Sequence, residues 1–396
     1  PDPTSFKPRD LDELKFLGKK FFDLGQRDLY DFMKFFTVSV GDFLDEFFES
    51  DLIKAHKAGS AVVGTNLGPR SPGTAYVLLH HYMGDVDGAV GAWGFPRGGM
   101  GSVSGALAGA LQEHGGEIRI NAGVDKIMVK RGKVTGVRLE NGEEILADRV
   151  VSNVDAKKTF LGLMEPEDAG EKVVKAAKRY KSRGSSGKLN IALNGVPEFT
   201  ALPKGSELIK GDFHIVDNME SYERGYDEWK DGMWSTNPYL DILIPTLTDP
   251  TMAPPGKHFM TCFVQYCPAK VKGQDWNADL LKKFGDNVIN SIAKYSPNFK
   301  DLIEHVEIRS GQVIDNEIGL TEGNIFQGEL SLNQLMFNRP FHGCAQYRGP
   351  VNGLYLSGST THPGGGVMGA PGANSAREIL MDMKISTTVP EDEGDD

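Results

Sequence analysis

The chain has 396 residues, of which 39% are hydrophobic and 24% are charged. This composition is typical of a folded globular protein, and the length allows two closely associated domains. The formal net charge of -11 argues against a nucleic-acid partner. Part of that charge lies in the tail Glu391–Asp396, which we expect to be disordered.

The cysteines argue against redox and metal chemistry. Cys262, Cys267 and Cys344 form neither a C-x-x-C pair nor a zinc spacing, so we expect buried thiols and no metal site. No run approaches the ~18 apolar residues that cross a bilayer, and no leader segment opens the chain. We expect a protein that is not secreted, and that is cytoplasmic in a bacterium or in the mitochondrial matrix of a eukaryote.

The first region, from Leu11 to Ala58, has the period of amphipathic helices and is rich in phenylalanine. Ten of the chain's 21 phenylalanines precede residue 50. These helices could pack on the core, or they could form a lid or a membrane-touching element over an apolar substrate site. Acidic residues interleave with the phenylalanines, whereas a helix on anionic lipid should be basic. A core or lid is favoured, and peripheral membrane contact is the alternative.

Two short segments before residue 101 contain candidate substrate residues. Thr74 to Met83 predicts an apolar helix or strand that ends in two histidines, of which at most one can face a given site. We retain His81 as a candidate substrate residue. The alternative is a histidine without a functional role, either buried with its hydrogen bonds satisfied or lying at the surface. Trp93 is a second candidate. Arg97 is a third, because its charge could hold a substrate oxyanion or brace the loop.

A small-residue helix follows, from Ser102 to about His114. Gly99, Gly101 and Gly105 before and within it give G-x-G-x-x-x-G, which is one residue longer than the dinucleotide fingerprint. No apolar strand comes directly before these glycines. The segment is therefore not the first turn of a Rossmann unit.

Strand patterns dominate the next part of the chain. Glu117–Ile120, Val124–Val129, Val134–Leu139 and Ala147–Asn153 are predicted strands, with Asn141-Gly142 as a hairpin turn. From about residue 156 to 340, strand-like runs and one long helix, about residues 278–295, predict a mixed-sheet domain. Tyr347 and His342 lie after this region, just upstream of the stretch described next, and could line a substrate cavity.

The most informative stretch runs from Gly353 to Ala376 and predicts a strand, a loop and a helix. Leu354–Leu356 is an apolar run bounded by glycines, and Pro371 suits the first turn of a helix. The glycines at 364–366 lack side chains, so a flat or anionic ligand could approach the backbone closely. The helix start also offers free N–H groups. A tight turn without a ligand is the alternative.

The sequence of this stretch, GLYLSGSTTHPGGGVMGAPGANSA, resembles the C-terminal flavin-binding signature of the phytoene desaturase and amine oxidase superfamily. The likeness is strongest to the pyridine nucleotide-disulfide oxidoreductase domain-containing protein 2 family, also called phytoene dehydrogenase-related. It runs from about Thr74 to about Ala376 and includes GTAYVLLHHYMG, GAWGFPRGGMG, DPTMAPPGKH and EGNIFQGELSLNQLMFNRP.

The resemblance implies an α/β fold of mixed α+β character, with a partial Rossmann-like FAD domain, a β-meander and a mixed-sheet substrate domain. It implies FAD as the cofactor and hydride transfer from an apolar small-molecule substrate to the flavin N5 atom. The residues implied to bind FAD are Val124, Gly358, Ser359, Pro363, Gly364, Gly365, Gly366, Val367, Met368 and Gly369. Gly365 should be the least replaceable, because a side chain there would occupy the volume of the flavin.

One part of the family pattern is missing. Such flavoproteins begin with a strand, G-x-G-x-x-G and an acidic residue that together hold the FAD pyrophosphate and ribose, and this sequence contains no such unit. We expect a chain that lacks this unit and retains little FAD by itself. The competing hypothesis is a non-catalytic scaffold that binds lipophilic molecules.

These patterns give an expected domain plan. Residues 1–100 form a helical lid or substrate-side region, 101–154 a part of the FAD domain, and 155–340 the substrate domain. Residues 341–385 form the C-terminal FAD segment, and 386–396 the acidic tail. Because the meander and the C-terminal loop must reach one cofactor, we expect Glu117–Ile120, Val150–Asn153 and Leu354–Leu356 to lie close together.

Overall fold

The computed structural model describes residues 3, 4 and 6–386. The acidic tail Glu391–Asp396 lies outside the described residues. The described residues form the α-helices α1 (Pro8–Asp23), α2 (Gly25–Thr37), α3 (Val40–Asp45), α4 (Asp51–Val62), α5 (Thr74–Tyr82), α6 (Gly101–Glu113), α7 (Pro166–Ala169), α8 (Glu171–Arg179), α9 (Met219–Lys230), α10 (Ala278–Ala293), α11 (Phe299–Leu302), α12 (Gly311–Ile318) and α13 (Ala370–Asp382). The strands are β1 (Asp85–Val86), β2 (Ala89–Val90), β3 (Val124–Lys130), β4 (Lys133–Leu139), β5 (Glu144–Leu146), β6 (Val150–Ser152), β7 (Ser186–Leu193), β8 (Phe213–Ile215), β9 (Tyr239–Leu243), β10 (His258–Gln265), β11 (Ile303–Arg309) and β12 (Leu354–Leu356). The mixed α/β class expected from the sequence is confirmed.

The chain folds as two compact units. Within the described residues, unit I contains the chain up to Lys20, Asn121–Ser182 and everything from Phe326 onward, and unit II contains Phe21–Ile120 and Arg183–Ile325. These boundaries differ from the expected plan, which put residues 155–182 and 326–340 in the substrate domain and 101–120 in the FAD domain. The reason is packing, because Phe160 and Tyr180 share one buried cluster with the strands of unit I.

Unit I contains a three-stranded antiparallel meander, β3-β4-β5, and the parallel pair β6-β12. The meander turns at Asn141-Gly142, as predicted, and Gly142 supplies the positive φ of +88° that this hairpin requires. Ile127 and Val134 of the meander are buried in one cluster with Leu354 and Leu356 of β12. The expected association of Val150–Ser152 with Leu354–Leu356 is confirmed by their parallel register.

The third segment of that expectation, Glu117–Ile120, is not a strand. These residues have irregular backbone, and the side chains of Ile118 and Ile120 are 46% and 81% exposed. In the part of the chain that the structure describes, no strand pairs with them. A strand needs a neighbour for its backbone hydrogen bonds, so the apolar pattern alone could not produce one here.

Unit II contains a five-stranded antiparallel sheet with the order β11-β7-β10-β9-β8. The side chains of its strands alternate between the two faces of the sheet. On one face, a buried cluster contains Leu189, Ile191, Leu240, Ile242 and Val264. Helix α10 contributes to the same cluster and begins at an Asn277 side chain that accepts the N–H of Leu280. The predicted long helix at about residues 278–295 is thereby confirmed.

The phenylalanine-rich segment forms helices whose aromatic rings mostly pack on one another. Within unit II, Phe36 stacks on Tyr76 with a centroid distance of 4.9 Å, and Phe32 contacts Phe36 at 4.6 Å. Phe22 is 87% exposed and Phe47 is 64% exposed.

Among the described residues, no helix combines the length and the apolar character that a bilayer crossing requires.

Candidate functional site

The predicted ligand loop leaves the end of β12 in unit I. The Ser357 N–H donates to the Ser152 carbonyl at 2.9 Å, which extends the β6-β12 pairing by one residue. A Cβ atom added at Gly358 would collide with the backbone carbonyl of Asn153 and with the Gln327 side chain. Glycine is therefore required at position 358 because the neighbouring backbone passes against it.

Gln327 joins the loop to the end of β6. Its Nε2 donates to the Asn153 carbonyl at 2.9 Å, and its Oε1 accepts the Thr360 N–H at 3.1 Å. The Thr360 hydroxyl in turn accepts the N–H of Ala156 at 3.2 Å. One side-chain amide thus uses both its donor and its acceptor to hold the two chain segments together.

A fully buried arginine lies beneath the loop. Arg339 has no solvent exposure, and its Nε and Nη2 donate to the Ser359 carbonyl at 3.1 and 2.7 Å. The same guanidinium donates to four other carbonyl oxygens, those of Phe326, Gly328, Glu329 and Gln334. Its planar fork of N–H groups matches this ring of acceptors. Arg339 therefore fixes residues 326–334 to the loop.

Tyr347 fixes the next part of the loop. Its hydroxyl donates to the His362 carbonyl at 2.7 Å and accepts from the Asn374 side chain on α13 at 2.9 Å. Burial raises the pKa of Tyr347. The sequence offered Tyr347 as a substrate residue, but in the structure its hydroxyl connects the loop to the following helix.

The glycines of the loop fall into two groups. Gly364 and Gly365 are buried, and a Cβ at Gly365 would lie 2.9 Å from Cδ1 of Phe326. Gly366 and Gly369 are exposed, with φ of +144° and +67°, and nothing lies within 4 Å of a Cβ at Gly369. A side chain at Gly365 would meet Phe326 and the φ angle is not positive, so packing alone can account for this glycine. The expected role of Gly365 against the flavin stays a prediction.

The exposed tip of the loop fits a flat ligand. Val367 is 74% exposed and Met368 is 41% exposed, and within the described residues no hydrogen bond uses the N–H of either. Helix α13 begins directly afterwards at Ala370, so its positive end faces the tip. Free N–H groups, apolar side chains and glycine backbone together suit an aromatic ring with an anionic or carbonyl-bearing edge.

Pro363 precedes the glycines in the same loop, and Val124 lies at the start of β3, paired with Leu139 and 37% exposed. All ten residues implied to bind the cofactor therefore lie in unit I. Gly364, Gly366 and Gly369 also satisfy the spacing G-x-G-x-x-G. Seven residues separate this spacing from β12, however, so the loop is not the tight turn of a dinucleotide fingerprint.

Helix α13 is held in unit I by ion pairs. Glu378 is 7% exposed and accepts hydrogen bonds from Arg9 at 2.6 Å and from Arg348 at 2.5 Å. Burial raises the pKa of Glu378, but these two guanidinium groups outweigh it and the pKa lies below its usual value. Arg348 also binds both oxygens of Asp382 at 2.8 and 2.9 Å. The direction of α13, and hence of its N-terminus, is fixed by charge.

The other substrate candidates belong to unit II. His81 and Trp93 stack with a centroid distance of 6.3 Å and an interplanar angle of 23°. Burial, and then the nearby His80, lower the pKa of His81 to about 4, so its ring is neutral at pH 7. Arg97 is exposed, and the adjacent Gly98 N–H donates to Asp249 at 2.6 Å. The structure therefore brings His81 and Trp93 together, while Asp249 braces the loop that contains Arg97.

Sequence reasoning missed the base of the loop. Gln327 and Arg339 lie inside the quoted motif EGNIFQGELSLNQLMFNRP, but no role was assigned to them. The only signal was a polar residue and a cation within a segment shared with the family. Their partners at 153 and 359 are distant in sequence, so only the fold reveals the contacts.

The chain is similar to a known family and to several known proteins. Residues 13–225, more than half of the chain, match the family described as flavin containing amine oxidoreductase. Pyridine nucleotide-disulfide oxidoreductase domain-containing protein 2 of Rattus norvegicus is 37% identical over 384 residues, which are 95% of this chain and 66% of that protein. The lycopene-forming phytoene desaturase of Pseudescherichia vulneris is 28% identical over 349 residues, 87% of this chain and 66% of that protein.

The chain therefore spans about two thirds of the length of these relatives. Among solved structures, a triple mutant of putrescine oxidase has a TM-score of 0.53 and 15% sequence identity. The alignment covers 96% of this chain and 77% of the putrescine oxidase chain. An oxidoreductase from Methanosarcina mazei has a TM-score of 0.53 and 17% sequence identity, and the alignment covers 87% of this chain and 68% of the oxidoreductase chain. At such identities the structures show the shared fold alone.

The family match bears on the cofactor as well as on the fold. Its description names a flavin, in agreement with the FAD expected from the C-terminal signature. The matched residues include the meander β3-β4-β5 and strand β6, and the mixed α/β architecture is consistent with the match. The chain is a member of the flavin containing amine oxidoreductase family.

Proposed function

We propose that this chain holds the ring of FAD at residues 358–369 and forms part of an oxidoreductase that acts on an apolar substrate. The observation that carries the proposal is the loop tip in unit I. Gly366 and Gly369 are exposed, no atom lies within 4 Å of a Cβ added at Gly369, and α13 begins directly behind the tip. The base of the tip is anchored by Gln327, Arg339 and Tyr347, so the tip is preorganised for a ligand.

The residues of the tip have distinct roles in this proposal. The free N–H groups of Val367 and Met368 would bind the polar edge of the ring, and the positive end of α13 would stabilise negative charge there. When bound, the flavin accepts a hydride from a substrate carbon. We propose no acid or base from this chain, because the protein supplies position and electrostatics and the cofactor supplies the redox chemistry.

The nucleotide half of FAD has no recognised site in this sequence. The pyrophosphate and ribose normally bind a strand, G-x-G-x-x-G and an acidic residue. The affinity of the chain should therefore come from the ring alone. We expect FAD and riboflavin to bind with dissociation constants that agree within about threefold, a difference below about 1 kcal/mol.

The test is a titration of the purified chain with FAD and with riboflavin, followed by flavin fluorescence. Gly369→Val should weaken both ligands at least about tenfold, which is about 1.4 kcal/mol, because it fills the open tip. Gly142→Val is the matched control. Gly142 also has positive φ, at +88°, and no atom within 4 Å of a Cβ, so the backbone strain is similar.

Three results would contradict the proposal. The first is no detectable riboflavin binding at millimolar concentration. The second is equal binding by the Gly369→Val and Gly142→Val variants. The third is FAD that copurifies stoichiometrically and binds far more tightly than riboflavin, which would reveal a nucleotide site that we have not recognised.

The apolar substrate class rests on a second observation, in unit II. Large apolar side chains are exposed along one segment: Leu79, Met83, Val86, Val90, Trp93, Phe95, Met100, Leu107 and Leu111. Soluble proteins rarely leave such a group uncovered without a binding role. Trp93 is 59% exposed, whereas Trp229 and Trp276 are 6% and 9% exposed. The fourth tryptophan, Trp234, is partly buried against the core of unit II, so Trp93 is the most exposed and serves as a reporter of ligand contact.

Binding of farnesol, an apolar isoprenoid, tests this class by calorimetry and by acrylamide quenching of tryptophan fluorescence. Farnesol should shield Trp93 from acrylamide in the wild-type chain, and Trp93→Ala should weaken the binding several-fold. Leu208→Ala is the control, because Leu208 is 73% exposed elsewhere in unit II. Farnesol binding that is absent, or that is unchanged by Trp93→Ala, would exclude this segment as the substrate surface.

A further inference from the structure

Three side chains converge at one edge of the sheet in unit II. Asp212 directly precedes β8, and His214 is the middle residue of that strand. Residues two apart in an extended chain point to the same face, so both side chains lie on one side of the sheet. Asp241 of β9 is directly opposite His214 in the antiparallel register. Cross-strand neighbours of this kind have Cβ atoms about 5 Å apart.

The donor atoms lie at distances that suit a metal ion. His214 Nε2 is 3.2 Å from Asp212 Oδ2 and 3.8 Å from Asp241 Oδ2, and one donor atom from each of the three residues lies within 4.8 Å of the others. Zinc bonds of about 2.1 Å in tetrahedral geometry give donor atoms about 3.4 Å apart. The two observed distances from Nε2 bracket this value. A small movement of Asp241 would complete the arrangement.

The three side chains differ in how deeply they are buried. The side chain of His214 is 8% exposed, that of Asp241 is 21% exposed and that of Asp212 is 43% exposed. Two ligands therefore lie mostly inside the unit, and the third lies at the surface, where an ion could enter. Water could take the remaining coordination position on the exposed side.

The other ring nitrogen of His214 has a partner of its own. His214 Nδ1 lies 2.7 Å from Nδ1 of His56, which is on α4. One of these two nitrogens must carry the proton. When it is His214 Nδ1, the lone pair of Nε2 points toward the two carboxylates, and either a proton or a cation between these atoms would relieve the repulsion. In metal-binding histidines, a hydrogen bond from the second ring nitrogen fixes the tautomer and the orientation of the ring. Here the partner of that nitrogen is the imidazole of His56.

We propose that Asp212, His214 and Asp241 bind a divalent transition-metal ion of the zinc class, with His56 as the positioning residue for His214. A mixed set of imidazole and carboxylate donors favours zinc over magnesium and calcium, which prefer oxygen donors alone. Sequence reasoning expected no metal, because the ligands are spread over 30 positions and only the strand register brings them together.

The bound ion would stabilise the edge of the sheet. Strand β8 has three residues and pairs only with β9 among the described strands. A metal between Asp212, His214 and Asp241 would cross-link the two strands, and His56 would connect them to α4. The proposed role of the ion is therefore to cross-link these elements of unit II, and this role is separate from the flavin binding proposed for unit I.

The test uses the tag-free chain after treatment with a chelator and dialysis. Zinc uptake is measured by mass spectrometry of the metal and by calorimetry, and thermal unfolding is followed with and without zinc. The wild type should bind one zinc ion per chain and unfold at a higher temperature when zinc is present. His214→Ala and Asp241→Asn should abolish both effects. His56→Ala should weaken zinc binding about 10–100-fold.

Two further variants keep the test decisive. Asp212→Asn changes an exposed side chain, so it should fold normally and still weaken zinc binding at least about tenfold. His305→Ala is the control, because His305 is an exposed histidine on β11 of the same sheet. The proposal is overturned if the wild type takes up no zinc, or if uptake is the same in the Asp212→Asn and His214→Ala variants as in wild type.

Discussion

At the scale of single residues, the loop shows that neighbouring glycines exist for different reasons. Gly358 and Gly365 are glycines because protein atoms occupy the space that a Cβ would need. Gly366 and Gly369 are exposed and have positive φ, so their backbone conformation is the reason. Only the second pair is exposed, so only there could a ligand contact the backbone directly. The first pair belongs to the packing of unit I.

This distinction makes a prediction for two Gly→Ala changes. Gly358→Ala should destabilise the protein by about 1–3 kcal/mol, because the added methyl group meets the Asn153 carbonyl, which cannot move without disturbing β6. Gly372→Ala on α13 meets nothing within 4 Å and should be neutral or stabilising by up to about 1 kcal/mol. The midpoint of urea unfolding measures both. Equal midpoints for Gly358→Ala and wild type would show that the loop is not packed as described.

At the scale of elements, local patterns predicted those elements whose partners are also present. The apolar run Leu354–Leu356, the Asn141-Gly142 turn and the helix α10 all follow from hydrophobic period and turn chemistry. Glu117–Ile120 has an equally good strand pattern but lacks a neighbouring strand in the described chain, and it stays irregular. A segment forms a strand only when a second segment accepts and donates its backbone hydrogen bonds, so the pattern of one segment cannot predict a strand by itself.

The candidate site follows the same rule. The glycine tip could be predicted, because glycine spacing and a helix start are local signals. The anchoring by Arg339 could not, since its acceptors come from residues 326–334 and from residue 359. The register of His214 against Asp241 was equally invisible, because a shift of one residue would reverse the face of every side chain.

At the scale of the whole molecule, family membership and catalytic activity are separate conclusions. The family is established by a match that covers more than half of the chain. The chain spans 66% of the length of the relative from Rattus norvegicus, so the activity of the longer protein is a proposal for this one. Units I and II each have a buried cluster of their own, and each candidate ligand site lies within one unit.

The central claim is that the flavin ring binds at the start of α13. Amide hydrogen exchange, measured by mass spectrometry with and without saturating riboflavin, tests this location most directly. The predicted result is slower exchange in the segment 366–373, where the N–H groups of Val367 and Met368 gain a partner. Exchange should not change in the segments 210–216 and 239–243, which contain the proposed zinc ligands. Unchanged exchange in 366–373 while riboflavin saturates the chain would contradict the account.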